Sequence, residues 1–183
     1  MFLVVQCPDC GRCQATQGKA LPVLGQVLDF RLYDTEGKEF GLTQLKGKVW
    51  VADFIFTTCG GICPLMSQNM AAIYRALEPQ NDIQFVSISV NPTYDSPDVL
   101  KDYAKRYQAD TNKWHFLTGS AEAIRDLAAN GFKIGSVDEP AFHSGYFVLV
   151  DQKSQIRGYY DGTKQERLQK LREDMAILLK EKN

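Results

Sequence analysis

Two cysteines, Cys59 and Cys63, lie four positions apart in the stretch FIFTTCGGICPLM. Their thiols could form a disulfide, bind a metal ion or pack as small core residues. Within one helical turn their Cβ atoms would lie about 5–6 Å apart, whereas a disulfide requires about 3.8 Å. A disulfide would therefore require the Gly60–Gly61 stretch to adjust. A metal ion tolerates the wider gap, with two metal–sulfur bonds of about 2.3 Å each.

The surroundings of the pair favour reactive sulfur. The apolar run KVWVADFIF precedes it and a helical pattern follows it, and α/β proteins place their sites at the carboxyl ends of strands. Cys63 lies at or just before the predicted helix, where unpaired backbone N–H groups stabilise a thiolate. Two thiolates are soft ligands that suit Cu(I), zinc or an iron–sulfur centre.

The chain has two histidines that could supply a third ligand, His115 and His143. His115, within WHFLTG, is expected to be a strand residue with its ring at the surface. His143 lies in a polar loop before a strand, and this loop faces the cysteines if that strand neighbours the first central strand; otherwise it is a loop histidine that binds backbone. Two thiolates and one imidazole leave an open position and can hold copper in either oxidation state. Such a site favours transfer of the ion over permanent binding.

Three further cysteines, Cys7, Cys10 and Cys13, form a CxxCxxC run near the N-terminus. No second CxxC pair completes a four-cysteine zinc site. The run is interpreted as reactive thiols on a tail, with a second soft-metal site, a disulfide or a lipid-bearing cysteine as alternatives. Five cysteines in all argue against a simple disulfide framework.

Composition narrows the class of protein. The chain has 183 residues, 44% of them apolar, and a formal net charge of −1. This length supports one buried core, and the charge does not favour nucleic acid as a partner. No stretch approaches the roughly 20 apolar residues of a spanning helix, and the opening MFLVVQCPDC lacks the features of a signal peptide.

The order of predicted elements is β, β, α, β, α, β, α, β, β, α. Met66, Met70, Ile73 and Leu77 form one apolar helical stripe, which indicates core packing rather than a thioether metal site. Alternating strands and helices predict an α/β protein with a mostly parallel central sheet and helices on both faces. A thioredoxin-like fold with an N-terminal strand or hairpin extension fits this order. We expect a cysteine-containing tail at residues 1–20 and a single domain at 21–183.

The sequence resembles the Sco/SenC family, the copper chaperones of cytochrome c oxidase assembly, from about Leu21 to the C-terminus. The most specific pieces are the CxxxCP element and, 80 residues after its second cysteine, the HS of HSGYFVLVD. The segments SVNPTYDSPDVLKDYAKRY and WHFLTG also match. A CxxxC alone would be a weak signal.

The resemblance implies that Cys59, Cys63 and His143 bind one copper ion. It also implies delivery of copper to the dinuclear copper site of the oxidase, or reduction of the cysteines there, rather than enzymatic catalysis. The implied partners are the copper-accepting oxidase subunit and a thiol reductant or another copper chaperone. The implied location is extracytoplasmic, in a bacterial periplasm or at the outer face of the cytoplasmic membrane, with a membrane tether.

Three features depart from the family pattern. Gly60 and Gly61 follow the first cysteine where many relatives have proline, which loosens the loop. Asn91 replaces an aspartate near the site, and the N-terminal cysteine run is not shared.

Two other functions use the same sulfurs. A thiol–disulfide oxidoreductase would cycle Cys59 and Cys63 between dithiol and disulfide without His143 or metal. A peroxiredoxin-like peroxidase is disfavoured because no proline lies between Pro22 and Cys59.

Overall fold

The computed structural model describes residues 20–77, 82–135 and 145–181. Its centre is the strand β4, whose seven residues are all buried, as the continuous apolar run predicts. The strands are β1 (Gly25–Gln26), β2 (Arg31–Tyr33), β3 (Glu39–Gly41), β4 (Val49–Ile55), β5 (Ile83–Ser89), β6 (Trp114–Leu117), β7 (Tyr146–Val150) and β8 (Gln155–Asp161).

Six strands form one sheet in the order β1-β8-β7-β4-β5-β6, and β2 and β3 form a separate hairpin. Strand β4 pairs in parallel with β5, and β5 pairs in parallel with β6. The β4–β7, β7–β8 and β1–β8 pairs are antiparallel. The α/β class with an N-terminal hairpin is confirmed, but the expected mostly parallel sheet is corrected to a mixed one. The short β7–β8 connection allows only antiparallel pairing.

The helices are α1 (Leu42–Leu45), α2 (Cys63–Leu77), α3 (Pro97–Arg106), α4 (Ala121–Asp126) and α5 (Gln165–Lys180). Apolar residues of α2, α3 and α5 pack on one face of the sheet, and those of α1 and α4 pack on the other with the β2–β3 hairpin. Met66 and Met70 are fully buried in the first cluster, so the prediction that they are core residues is confirmed. Helices on both faces leave the strand ends as the accessible place for chemistry.

Serines begin two of the helices, as is typical of helix N-termini. The Ser96 hydroxyl accepts a hydrogen bond from the Val99 N–H at the start of α3, and Ser120 accepts one from Ala123 at the start of α4. Helix α4 does not end in a loop after Asp126, because the chain continues into a wider π-helical turn at Leu127–Gly131. The left-handed residue after it is Lys133, with φ 56°.

Three short elements were not predicted from the sequence, namely β1, β3 and α1. Each has two to four residues, which is too short for a hydrophobic period to be recognised. Within the described ranges no helix is long and apolar enough to span a bilayer.

Candidate metal and thiol site

The two cysteines follow the carboxyl end of β4. Cys59 lies in the connecting loop and is partly exposed, whereas Cys63 is the first residue of α2 and is 1% exposed. Both are free thiols, and their side chains hydrogen-bond to each other. The structure therefore brings together these two predicted site residues.

A tight turn sets the position of Cys59. The Cys59 N–H donates to the carbonyl of Phe56 at 3.2 Å, so Thr57 and Thr58 are the central residues of the turn. The Gly61 N–H in turn points at the Cys59 sulfur, 3.4 Å away. Cys59 thus faces the first turn of α2 from outside it, rather than sharing a helical turn with Cys63. This arrangement explains the contact between two sulfurs that helical spacing alone would hold apart.

The environments of the two sulfurs shift their pKa values in opposite directions. Partial burial disfavours the Cys59 thiolate. However, the N–H and thiol of Cys63 and the N–H groups of Gly61 and Ile62 outweigh burial and lower the pKa of Cys59. Burial raises the pKa of Cys63 to about 12; the Phe56 N–H opposes this shift, and the thiol and charge of Cys59 and the charge of Asp53 add to it.

The pair is therefore poised to share one proton. A Cys59 thiolate accepts a hydrogen bond from the Cys63 thiol, since that bond lowers the pKa of one sulfur and raises that of the other. A soft metal ion bound by both sulfurs must displace this remaining proton. An external disulfide would meet the exposed thiolate first.

His143 and the three N-terminal cysteines lie outside the described residues. Gly145, which the structure describes, lies beside the residue that precedes Cys63: a Cβ atom on Gly145 would be 3.5 Å from Ile62 Cδ1. Within the described ranges, no group of three or more His, Cys, Asp or Glu side chains could hold a metal ion. A three-ligand site at the pair requires a donor from elsewhere in the chain.

His115 belongs to β6 as predicted, but its ring is not free at the surface. Its Nε2 is 2.8 Å from Gln84 Oε1, and its ring centroid is 4.5 Å from that of Phe40. Burial lowers the pKa of His115 to about 4, against the opposing charges of Asp34 and Asp110. His115 is a packing residue.

This burial predicts an acid sensitivity. The unfolded chain binds a proton at His115 below about pH 6.5, while the folded chain does so only below about pH 4. The free energy of unfolding should therefore fall as the pH drops from 6.5 to 4, by about 2–3 kcal/mol. Urea unfolding of the wild type and of His115→Gln at several pH values measures the difference. Parallel curves for the two proteins would contradict the prediction.

Two acidic residues near the site were not identified from the sequence. Asp53, in the middle of β4, is fully buried and accepts a hydrogen bond from Ser87 at 2.6 Å, and its second side-chain oxygen has no partner among the residues that the structure describes. Asp95 is also fully buried and binds the Thr57 backbone. A single carboxylate within the apolar run KVWVADFIF could have indicated that Asp53 is a buried acid. Asp95 lies in a polar loop, where no sequence pattern indicates burial.

Neither backbone conformation nor lack of space requires glycine at positions 60 and 61. Neither Gly60 nor Gly61 has a positive φ. A Cβ atom at Gly60 would meet nothing within 4 Å, and one at Gly61 would lie 3.7 Å from the Cys59 sulfur, an ordinary contact. Their effect is therefore on the conformational freedom of the loop.

Comparison with known proteins places this geometry in a family. The family model SCO1/SenC matches residues 24–179. A SCO1/SenC family lipoprotein from Bacillus anthracis is 35% identical, with a TM-score of 0.77 over 85% of this chain and 96% of that one. BsSco, described as a member of the Sco family of cytochrome c oxidase assembly proteins with a disulfide switch, is 33% identical, with a TM-score of 0.78 over 88% and 98%.

Yeast Sco1 with copper bound is 25% identical, with a TM-score of 0.69 over 88% of this chain and 96% of that one. These structures are thioredoxin-like, which confirms the predicted fold class. The matched range includes the CxxxC loop, the helix that follows it and the β7–β8 hairpin. On the agreement of sequence and fold, the chain belongs to the SCO1/SenC family.

Proposed function

We propose that this protein is a metallochaperone that carries one copper ion on Cys59, Cys63 and His143. The observation that carries the proposal is the placement of both thiols between the end of β4 and the first residue of α2, where they interact and the pKa of Cys59 is lowered. Two adjacent soft sulfurs, one of them poised as a thiolate, suit Cu(I). Copper is the cargo here and not a resident cofactor.

The third ligand is proposed from the chain path. Gly145 lies beside Ile62, which precedes Cys63. Two residues span at most about 7 Å, a length that supports His143 as the proposed third ligand. An imidazole added to two thiolates would retain Cu(II) as well as Cu(I) and leave a position open for an acceptor.

The protein's own groups control loading and release. The partly exposed Cys59 offers the first sulfur, and the buried Cys63 offers the second after losing its proton. Reprotonation of Cys63, favoured by its burial, would assist release to an acceptor.

The proposed acceptor is the copper-accepting subunit of cytochrome c oxidase. The description of BsSco as an oxidase assembly protein supports this choice. The copper bound in yeast Sco1 supports the cargo. The Bacillus anthracis relative is a lipoprotein, which supports an extracytoplasmic, membrane-anchored location.

Substitution of His143 tests the ligand set. His143→Ala should weaken Cu(II) binding by about a hundredfold or more and abolish the sulfur-to-copper absorption band, because two thiolates alone do not retain Cu(II). Titration of reduced protein with one equivalent of Cu(II) measures both. His115→Gln is the matched control and should behave like the wild type. An unchanged band and affinity in His143→Ala would refute the three-ligand site.

Thiol–disulfide exchange is a second candidate function, favoured by the asymmetry of the pair. The exposed Cys59 thiolate would attack a partner disulfide, forming a mixed disulfide and releasing one partner thiolate. Cys63 would then lose its proton and attack the Cys59 sulfur, which closes the Cys59–Cys63 disulfide and releases the second partner thiolate. The partner gains two electrons and the pair loses two. Turnover of a disulfide substrate with copper chelated, equal in His143→Ala and wild type, would favour this function over copper transfer.

A further inference from the structure

Asp95 is a buried carboxylate whose side chain faces the cysteine loop. It lies between β5 and α3 and is 0% exposed. Its Oδ2 accepts a hydrogen bond from the Thr57 N–H at 3.1 Å and another from the Ser89 hydroxyl, and its Oδ1 accepts one from the Thr57 hydroxyl. In the described part of the chain, these partners are hydroxyls and an amide rather than a cation.

Thr57 connects this carboxylate to both sulfurs. It is the first central residue of the turn that Cys59 closes on the Phe56 carbonyl. The backbone of Phe56 also hydrogen-bonds to the Cys63 thiol. The turn held by Asp95 therefore fixes the start of the loop to Cys59 and supplies a donor to Cys63.

The contacts of Asp95 do not serve helix α3. Ser96 already caps that helix through the Val99 N–H. The Asp95 backbone N–H is bound by the Asn91 carbonyl at 2.9 Å, which closes its own loop without the side chain. The side chain is thus committed to Thr57 and to Ser89 at the end of β5.

We propose that Asp95 is a positioning residue that holds the two sulfurs in a ligand-ready arrangement before metal arrives. The expected effect on copper affinity rests on the proposed function. The ordering of the two cysteines in the metal-free protein does not depend on that function. A buried carboxyl group that accepts several hydrogen bonds holds a loop more firmly than a single hydrogen bond does. Ordering of the ligands before metal binds reduces the entropic cost of binding.

Asp95→Asn tests this role. An amide offers one acceptor oxygen, so it cannot accept from all three donors. We expect Cu(I) affinity to fall about tenfold or more. In the metal-free protein, we expect the buried Cys63 to react with iodoacetamide about tenfold faster or more, because local opening of the turn exposes it.

The matched control is Asp98→Asn, which makes the same change at an exposed position in the first turn of α3. It should leave affinity and alkylation as in the wild type. Thr57→Val removes only the hydroxyl bond and should have a smaller effect, and its combination with Asp95→Asn should be less than additive. Thr57→Ser keeps the hydroxyl and should retain the wild-type Cu(I) affinity and rate of Cys63 alkylation. These Thr57 variants carry the test if Asp95→Asn does not fold.

A general structural role predicts a different result. In that case, Cys63 alkylation would rise only as much as the global unfolding constant measured in urea. Such a match, or equal behaviour of Asp95→Asn and Asp98→Asn, would overturn the inference. If the wild type bound no copper while Asp95→Asn still exposed Cys63 selectively, the proposed function would fail and the positioning role would stand.

Discussion

Replacing Cys63 with alanine is expected to lower Cu(I) affinity by at least about a thousandfold, which corresponds to about 4 kcal/mol. The two sulfurs contact each other, so both can bind one ion, and the variant leaves Cys59 as the only thiolate of the pair. The buried position of Cys63 would also shield a metal–sulfur bond there from water. Competition with a chromogenic Cu(I) chelator under anaerobic conditions measures the change.

Ser67→Ala is the control for a small deletion in the buried face of the same helix. Ser67 is 1% exposed and hydrogen-bonds to Tyr103 at 2.9 Å. It should lower stability slightly and leave copper affinity unchanged. Retention of affinity within about tenfold by Cys63→Ala would exclude the cysteine pair as the copper site, whereas equal losses in Cys59→Ala and Cys63→Ala would support it.

Asp53→Asn should stabilise the protein increasingly as the pH rises. Burial raises the pKa of Asp53 from 3.8 to about 7, although the hydrogen bonds from Ser87 and its own backbone oppose the shift. Because the pKa of Asp53 is higher in the folded chain, its protonated form contributes stability that is fully present below about pH 3.8. This contribution is lost as the pH rises through 7, because the carboxyl group must then ionise in an apolar interior. Asparagine has no such titration. The variant should match the wild type near pH 4 and exceed it by about 2–4 kcal/mol at pH 8.

The control for this change is Asp151→Asn. Asp151 is also buried, but it forms a 2.7 Å ion pair with Arg157. Neutralising Asp151 leaves the buried Arg157 with only the more exposed Glu181 as a charge partner, so this variant should be less stable than the wild type at pH 8, the opposite sign. Urea unfolding of all three proteins from pH 4 to pH 8 measures both effects. A difference between Asp53→Asn and wild type that does not vary with pH would show that Asp53 is not held neutral by burial.

Local sequence signals predicted most elements well. The strand β4 follows from a continuous apolar run, and α2 follows from apolar residues at helical spacing. Ser96 and Ser120 marked the starts of α3 and α4. These signals act over a few residues, so no distant contact was needed to interpret them. The same limit explains why the two-residue β1 and the antiparallel pairing of β7 with β4 were not predicted.

For the site, the sequence alone determined the candidates: Cys59 and Cys63 were predicted as the site sulfurs from their spacing and from the strand and helix around them. The tertiary structure decided their difference, because burial and the donors at the start of α2 lower the pKa of one sulfur and raise that of the other. It also decided the roles of Asp53 and Asp95, which depend on partners 34 and 38 residues away. Burial and long-range hydrogen bonds exist only once the sheet has formed, and residue spacing carries no record of them.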